Sequence, residues 1–319
     1  MTDVVTIGHI LMDMRVLVDE FATPDKEATV YDIKYGAGGS AANTAVGVVR
    51  LGRKASVIAK VGMDNFGRLV LEEIMAKGVD ISGVKIKVGG DTGFTIVLIN
   101  SHGEIIMYGY KGVSEELLPG EISREVIGSA KHVHIASLRI DTAVHAARIA
   151  RELGKKVSWD PGRRIARLGL EKLSEIIGLS NIVLLNEKEA EEMTGYKDYR
   201  KAAQAIKEHG AEIVIVKRGA KGVYALGPGY EIELPAYKVK AVDTTGAGDS
   251  FAAGLIVSLL EGKELREALE FANATAALKV TRLGAQVIPT RDEVEVFLKQ
   301  QKKFEEILGD LAKKSLEEP

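Results

Sequence analysis

Asp243-Thr244-Thr245-Gly246-Ala247-Gly248-Asp249-Ser250-Phe251 is the stretch that decides how the rest of the chain is read. Three small residues, Gly246, Ala247 and Gly248, let the backbone turn tightly and aim N–H groups at one point. An apolar helical run, Ser250 to Leu260, follows at once. The point therefore lies at the N-terminus of a helix, where unsatisfied amides and the helix dipole favour an anion. Asp249 stands at the helix start, where its carboxylate either caps the helix or faces the anion. A bare Gly-x-Gly-Asp would read as an ordinary cap. The whole string argues for an anion site with a carboxylate beside it.

Outward from this point the chain alternates. Residues 4–8, 56–62, 132–137, 156–160, 182–186 and 213–217 are short β-branched runs that read as buried strands. Helical patterns lie between them at 43–52, 66–78, 141–154 and 199–210. Such alternation predicts an α/β fold with a mostly parallel sheet covered by helices on both faces, a three-layer αβα arrangement. Ligands of such sheets bind beyond the carboxyl ends of the strands. Residues 15–36 and 86–111 break the rhythm with strand patterns and no helix, the second with a turn at Asn100-Ser-His-Gly103. They predict a small β-sheet lid. The large catalytic domain then comprises 1–14, 37–85 and 112–319. Exposed edge strands on such a lid need cover, which a second subunit would supply, so a homodimer through the lid is expected.

Composition narrows the class. The chain has 319 residues, 46% of them hydrophobic, enough for a sizeable core. Forty-three Lys and Arg against 45 Asp and Glu give a net charge of −2, with no basic run to attract nucleic acid. With no Cys, disulfides, thiolate metal sites and cysteine nucleophiles are excluded. No apolar run is long enough to span a membrane, and the N-terminus reads as a strand rather than a signal peptide, so a cytoplasmic enzyme is expected. Sparse Gln and Asn beside abundant Lys and Glu hint at a thermophile. Neither a Walker-type phosphate loop nor a dinucleotide-binding Gly-x-Gly-x-x-Gly after a strand occurs. The six histidines show no metal or nucleophile–base spacing, and structural roles fit them.

The Asp243–Phe251 string resembles the signature of the PfkB, or ribokinase-like, carbohydrate kinases, and Gly38-Gly39-Ser-Ala-Ala-Asn43 with Arg50-Leu-Gly52 resembles that family's other signature. The resemblance extends over nearly the whole chain. It implies transfer of a nucleotide's terminal phosphoryl to a hydroxyl of a sugar or nucleoside. Asp249 matches the catalytic base, and the amides of Gly246, Ala247 and Gly248 match the anion hole. That chemistry needs a proton acceptor and donors for the moving charge. Asp13, Gly38, Gly39 and Asn43 match positions that hold the substrate. Asn186 and Glu189 match the Asn-x-x-Glu motif linked to magnesium, Glu189 acting through water. An Asn before Glu-Lys-Glu is also a good helix start. Lys217, Gly219 and Gly222 match a turn contacting nucleotide phosphates, and Asn273 a position lining the adenine pocket. The 281–286 loop with Asp243, Thr245 and Gly284 resembles a monovalent-cation site, implying potassium beside Mg2+. Val61–Gly67 resembles a further stretch, read as structural.

The acceptor is less determined. Ser40 stands where ribokinases usually carry Lys. Arg139 stands where ribose-type enzymes tend to have a carboxylate, and Arg163 and Arg164 follow the strand at 156–160. Arg139 or Arg164 facing the pocket would select a phosphorylated or acidic sugar such as ribose 1-phosphate, fructose phosphate or 2-keto-3-deoxygluconate. Asp13 would repel an anion and tilts the reading toward a neutral sugar or nucleoside. The donor is ATP or ADP. A non-catalytic sugar sensor on the same scaffold is the competing class, and an intact Asp249 beside its loop speaks against it.

Overall fold

A computed structural model describes residues 2–317. The chain opens with β1 (Val4–Gly8), β2 (Leu11–Val18), β3 (Val30–Gly38), α1 (Ser40–Arg50), β4 (Ala55–Ile58), β5 (Lys60–Gly62), α2 (Asn65–Ala76), β6 (Lys85–Lys87), β7 (Thr92–Ile99) and β8 (Ile105–Gly112). It continues through α3 (Arg124–Ser129), β9 (His132–Ala136), α4 (Ile140–Glu152), β10 (Lys156–Asp160), α5 (Gly162–Ala166), α6 (Leu170–Leu179), β11 (Ile182–Asn186), α7 (Glu187–Thr194), α8 (Tyr199–Glu208) and β12 (Ile213–Lys217). It ends with β13 (Val223–Gly227), β14 (Tyr230–Leu234), α9 (Ala247–Leu260), α10 (Leu265–Val280) and α11 (Arg291–Glu317).

Eight strands form the main sheet in the order β14-β13-β12-β11-β10-β9-β1-β4, all running the same way except β13, which is antiparallel to both its neighbours. The two-residue period of a strand sorts side chains onto the two faces. Val5, Ile7, Val133, Ile135, Val183, Leu185, Val214 and Val216 join one core, under α3 to α8. Val4, Ile182, Leu184 and Ile215 point the other way, toward α1, α9 and α10. Helix α9 is apolar on all sides because it is enclosed: every residue from Ser250 to Ser258 is buried.

The strand expected at 56–62 divides. Ala55–Ile58 stays in the main sheet, while Lys60–Gly62 leaves it to pair with Lys85–Lys87. The cause lies in Asp64, which caps α2 through Gly67 N (2.6 Å) and also accepts from Thr92 N (2.7 Å) and Thr92 Oγ1 (2.7 Å). That knot ties this segment to the start of β7.

A second, four-stranded sheet has the order β3-β2-β7-β8. It starts at Leu11 rather than at residue 15, and it reaches Gly38 and Gly112, because Leu11 pairs with Gly38 and Thr92 with Gly112. Residues 85–87 do not join it. At its far end Asn100 Oδ1 accepts from His102 N (3.0 Å) and Glu104 N (2.9 Å), an Asx turn that closes the β7–β8 hairpin.

Candidate active site

The carboxyl ends of β1, β9, β10, β11 and β12 converge, bringing His9, Ser137, Asp160, Asn186 and Lys217 to one edge of the main sheet. The N-terminus of α9 closes this edge. Gly246 caps it with φ 75°, a left-handed conformation that favours glycine. A Cβ there would also lie 2.6 Å from the Ala285 carbonyl, so the 281–286 loop packs directly on the turn. Asp243 Oδ1 accepts from Thr245 N (2.9 Å) and shapes the approach. The Ala247 N–H is engaged by the Thr244 carbonyl (3.1 Å), which removes it from the three amides expected to face an anion. Gly248 and Asp249 follow in the first helical turn, where N–H groups have no carbonyl inside the helix. Lys217 Nζ sits 3.2 Å from where a Cβ of Gly248 would stand, so an ammonium lies beside the loop.

Asp249 is oriented by a chain of side chains. Asn43 Nδ2 donates to Asp249 Oδ2 (2.8 Å), and Gln286 Nε2 donates to Asn43 Oδ1 (3.1 Å). Lys77 Nζ holds both Gln286 Oε1 (2.7 Å) and Glu73 Oε1 (2.6 Å), and Glu73 Oε2 accepts from Ala37 N (2.7 Å). Burial pushes the Asp249 carboxyl up to about 6, the Asn43 hydrogen bond works against the shift, and the nearby Asp160 adds to it. A carboxylate tuned toward neutrality is suited to accept a proton in a reaction near pH 7.

Over this floor lies the small sheet. Its pleat places Leu11, Asp13, Thr95, Val97, Met107 and Lys111 on the face that roofs a cavity of about 250 Å³, whose floor includes His9, Gly39, Ser40, Asn43, Ser137, Thr245, Gly246 and Asp249. Gly38 packs on the Asp13 carboxylate, where a Cβ would collide with it. Burial raises the Asp13 carboxyl to about 6, against a hydrogen bond from Thr95. Ser137, at φ 46°, holds a conformation rare outside glycine, a strain of the kind that collects at binding sites.

Lys111, which the sequence did not single out, is the cation on this cavity's wall. Its ammonium makes no hydrogen bond or ion pair among the described residues. Burial pulls it below its ordinary range, while Glu115 and Asp13 favour its charge. Arg139 and Arg164 do not line the cavity. Arg139 grips Asp141 through Nε (2.6 Å) and Nη2 (2.8 Å), and Arg164 pairs with Glu115. His9 Nε2 lies 2.9 Å from Glu115 Oε1, close but off the angle of a hydrogen bond. Burial works against Glu115's charge, yet His9 and Arg164 hold its carboxyl down to about 2. Both Lys111 and Arg139 feel that one carboxylate as well. The sequence gives His9 only a structural role and passes over Lys111, because neither sits in a contiguous motif. Strand period alone could have placed Lys111 on the face of Met107, once the inward face of the sheet was known.

The nucleotide-side residues divide. Asn186 caps α7 and Glu189 answers it, Asn186 Oδ1 accepting from Glu189 N (2.9 Å) and Glu189 Oε2 from Asn186 N (2.8 Å). Burial and the neighbouring Asp160 carboxylate raise the Glu189 carboxyl, and Lys217 Nζ bonds Asp160 Oδ2 (2.6 Å). Two carboxylates that crowd each other in this way fit a magnesium ion held chiefly by water and phosphate. Among the described residues no group of three or more His, Asp or Glu forms a closed metal cage. Gly219 and Gly222 shape the tight turn between β12 and β13. Asn273, buried in α10, donates from Nδ2 to the Pro235 carbonyl (2.7 Å), a structural tie.

The monovalent-cation residues do not fit a further ion. Both oxygens of Asp243 accept backbone N–H groups, Oδ1 from Thr245 (2.9 Å) and Oδ2 from Gly284 (2.8 Å). Arg15 Nη2 stands 3.4 Å from Oδ2, and Lys279 Nζ donates to the Asp243 carbonyl (2.8 Å). Two fixed cations already face the place where a third would enter.

Known proteins agree with this architecture. Residues 1–292 match the pfkB family carbohydrate kinase. An ATP-dependent ribose-1-phosphate kinase of Halopiger xanaduensis is 37% identical over 300 residues, covering 94% of this chain and 99% of the relative. A ribokinase of Haemophilus influenzae is 31% identical, covering 92% and 97%. Among solved structures, a Thermotoga maritima ribokinase superposes with a TM-score of 0.85 at 30% identity, covering 94% and 100%. An Arabidopsis thaliana ribokinase complexed with ribose and ATP gives 0.85 at 26%, covering 93% and 99%. A glycine-capped helix start beside a buried carboxylate, on this fold and with these relatives over about nine-tenths of its length, makes the chain a member of the pfkB family of carbohydrate kinases, an ATP-dependent phosphotransferase acting on an alcohol group of a sugar or nucleoside.

Proposed function

We propose that the chain phosphorylates a pentose that already carries a phosphate, with ribose 1-phosphate as the type of acceptor and ATP as donor. The observation that carries this reading is Lys111, an unpartnered ammonium on the wall of the sugar-sized cavity that also contains Asp249. A neutral sugar has no use for such a charge, and the carboxylates it feels, Glu115 and Asp13, form no ion pair with it, so burial weighs against it. A phosphate would complete it. The similarity to a ribose-1-phosphate kinase supports the same choice. Asp13 weighs toward a neutral acceptor, but the Lys111 charge nearby offsets its own, and its acceptor oxygens suit sugar hydroxyls.

In the reaction the acceptor hydroxyl gives its proton to Asp249, and its oxygen attacks the terminal phosphorus. The bond from that phosphorus to the bridging oxygen breaks, and the nucleoside diphosphate leaves with the bonding pair. Asp249 then returns its proton to solvent. The α9 N-terminus and Lys217 hold the charge of the transferred group. Asp160 and Glu189 would hold magnesium, which supplies neutralisation of the donor's phosphates when bound.

The outer face of the small sheet supports a homodimer. Tyr35, Ile33, Tyr108 and Tyr110 lie opposite the cavity face and are 58%, 45%, 59% and 47% exposed. A second copy would cover this patch. Sedimentation at micromolar concentration is expected to give twice the monomer mass, and a strict monomer would remove the dimer.

The reading is tested by an acceptor panel of ribose, ribose 1-phosphate, fructose 6-phosphate and nucleosides, each with ATP and with ADP. Ribose 1-phosphate with ATP is expected to exceed ribose by about 10-fold or more in kcat/KM, the scale of a charge-assisted contact. Preference for ribose or a nucleoside would overturn it.

A further inference from the structure

Lys279 is a lysine in the interior. It lies in the last turn of α10, is 0% exposed, and has no part in the phosphoryl transfer itself. Lys is rarely buried without a specific partner. Here the ammonium donates to the carbonyl of Asp243 (2.8 Å). The N–H of Asp243 donates to the Val280 carbonyl (3.1 Å), as does that of Val242 (2.7 Å). The end of α10 therefore holds the main chain of Asp243 from both sides.

What Asp243 holds in turn is the site itself. One carboxylate oxygen fixes Thr245, two residues before the helix-starting Ala247, and the other fixes Gly284 of the loop that packs on Gly246. Arg15 adds a guanidinium from the small sheet. The charged groups facing Lys279 are Asp243, Arg15 and Asp249. Burial pulls the ammonium below its usual range, and the two carboxylates oppose that shift.

We propose that the Lys279 ammonium is a built-in cation: it occupies, as part of the chain, the role of a bound monovalent ion in setting the 243–246 turn and the positive field of the anion loop, so that turnover does not require potassium. A soluble ion would have to compete for the Asp243 carbonyl and enter beside two fixed positive charges, which is unfavourable at low dielectric. Lys279 touches no reacting atom and acts as a positioning residue through Asp243.

The test compares K+, Na+ and tetramethylammonium chlorides at equal ionic strength, using the best acceptor of the panel. The wild type is expected to keep its kcat/KM for ATP within about twofold across the three salts, with an unchanged melting temperature. Lys279→Ala, which opens space, is expected to lose roughly 10-fold or more in tetramethylammonium, the scale of a misplaced anion-hole donor. K+ should recover part of that activity and raise the variant's melting temperature, a linkage the wild type lacks. Lys279→Met, of similar length but without charge, keeps the test open if the Ala variant fails to fold, and should lose calorimetric ATP affinity in every salt. Activation of the wild type by K+ beyond about fivefold would overturn the proposal. So would a Lys279→Met protein with unimpaired kcat and ATP binding, or a folded Lys279→Ala protein indifferent to K+.

Discussion

The floor and the roof of the cavity are built from different kinds of sequence. The floor takes Asn43 from the start of α1 and Gly246 to Asp249 from the start of α9, each inside a contiguous motif that contains a helix cap. The roof takes Asp13, Thr95, Met107 and Lys111 from three strands, at positions fixed only by pairing register. The floor's groups are polar and mutually bonded, Gln286 to Asn43 to Asp249, whereas the roof presents a cation that no described side chain hydrogen-bonds. The contrast separates two tasks. A phosphoryl transfer needs the same base and the same anion site whatever the acceptor, and a rigid bonded floor supplies them. Choice of acceptor needs an incomplete partner, and the roof supplies that.

If this division holds, a floor substitution damages every acceptor alike. Asp249→Asn is expected to lower kcat by about 100-fold or more for all acceptors while leaving nucleotide affinity within a few-fold, since it removes the proton acceptor and keeps the shape. Steady-state kinetics with calorimetric ATP binding checks this, and retention of most of kcat would end the assignment.

A subtler change to the same floor appears in pH. Asp249 acts as a base only when ionised, and its carboxyl is raised to about 6, so kcat/KM should fall as pH drops through that value. Asn43 donates to the charged form, so Asn43→Ala should raise the carboxyl further and move the acid limb upward by roughly 0.5 to 1 pH unit, one hydrogen bond's worth. An acid limb that stays in place or moves down would show that Asn43 does not tune Asp249.

The smallest effect is expected outside both regions. Arg139 is engaged by its neighbour Asp141, and such an exposed pair contributes little. Arg139→Ala should change kcat/KM for any acceptor by no more than about threefold. A larger loss confined to phosphorylated sugars would bring Arg139 into the pocket with substrate bound.

The same contrast explains what could be read from the chain alone. The α9 string announced its own geometry, because Gly at a left-handed cap and Asp in a first turn are local requirements. The parallel sheet followed from alternation. The division of 56–62 did not, because it depends on Asp64 bonding Thr92, twenty-eight residues away. Arg139 and Arg164 drew attention as the arginines after strands β9 and β10, yet their acidic neighbours come from the next turn and from the segment after β8, which only the fold brings near. Lys111 reads as an ordinary strand-end lysine until the small sheet folds over the floor. Lys279 reads as the basic residue that often ends a helix, and only its burial shows otherwise.

The division of labour is tested most directly by measuring kcat/KM for ribose 1-phosphate and ribose side by side in the wild type and in Lys111→Met. The wild type should favour ribose 1-phosphate by about 10-fold or more. In Lys111→Met that ratio should fall toward one through a higher KM for the phosphorylated sugar, with kcat for ribose unchanged. A ratio that survives the substitution, or a loss of kcat shared by both acceptors, would contradict the assignment of chemistry to the floor and selection to the roof.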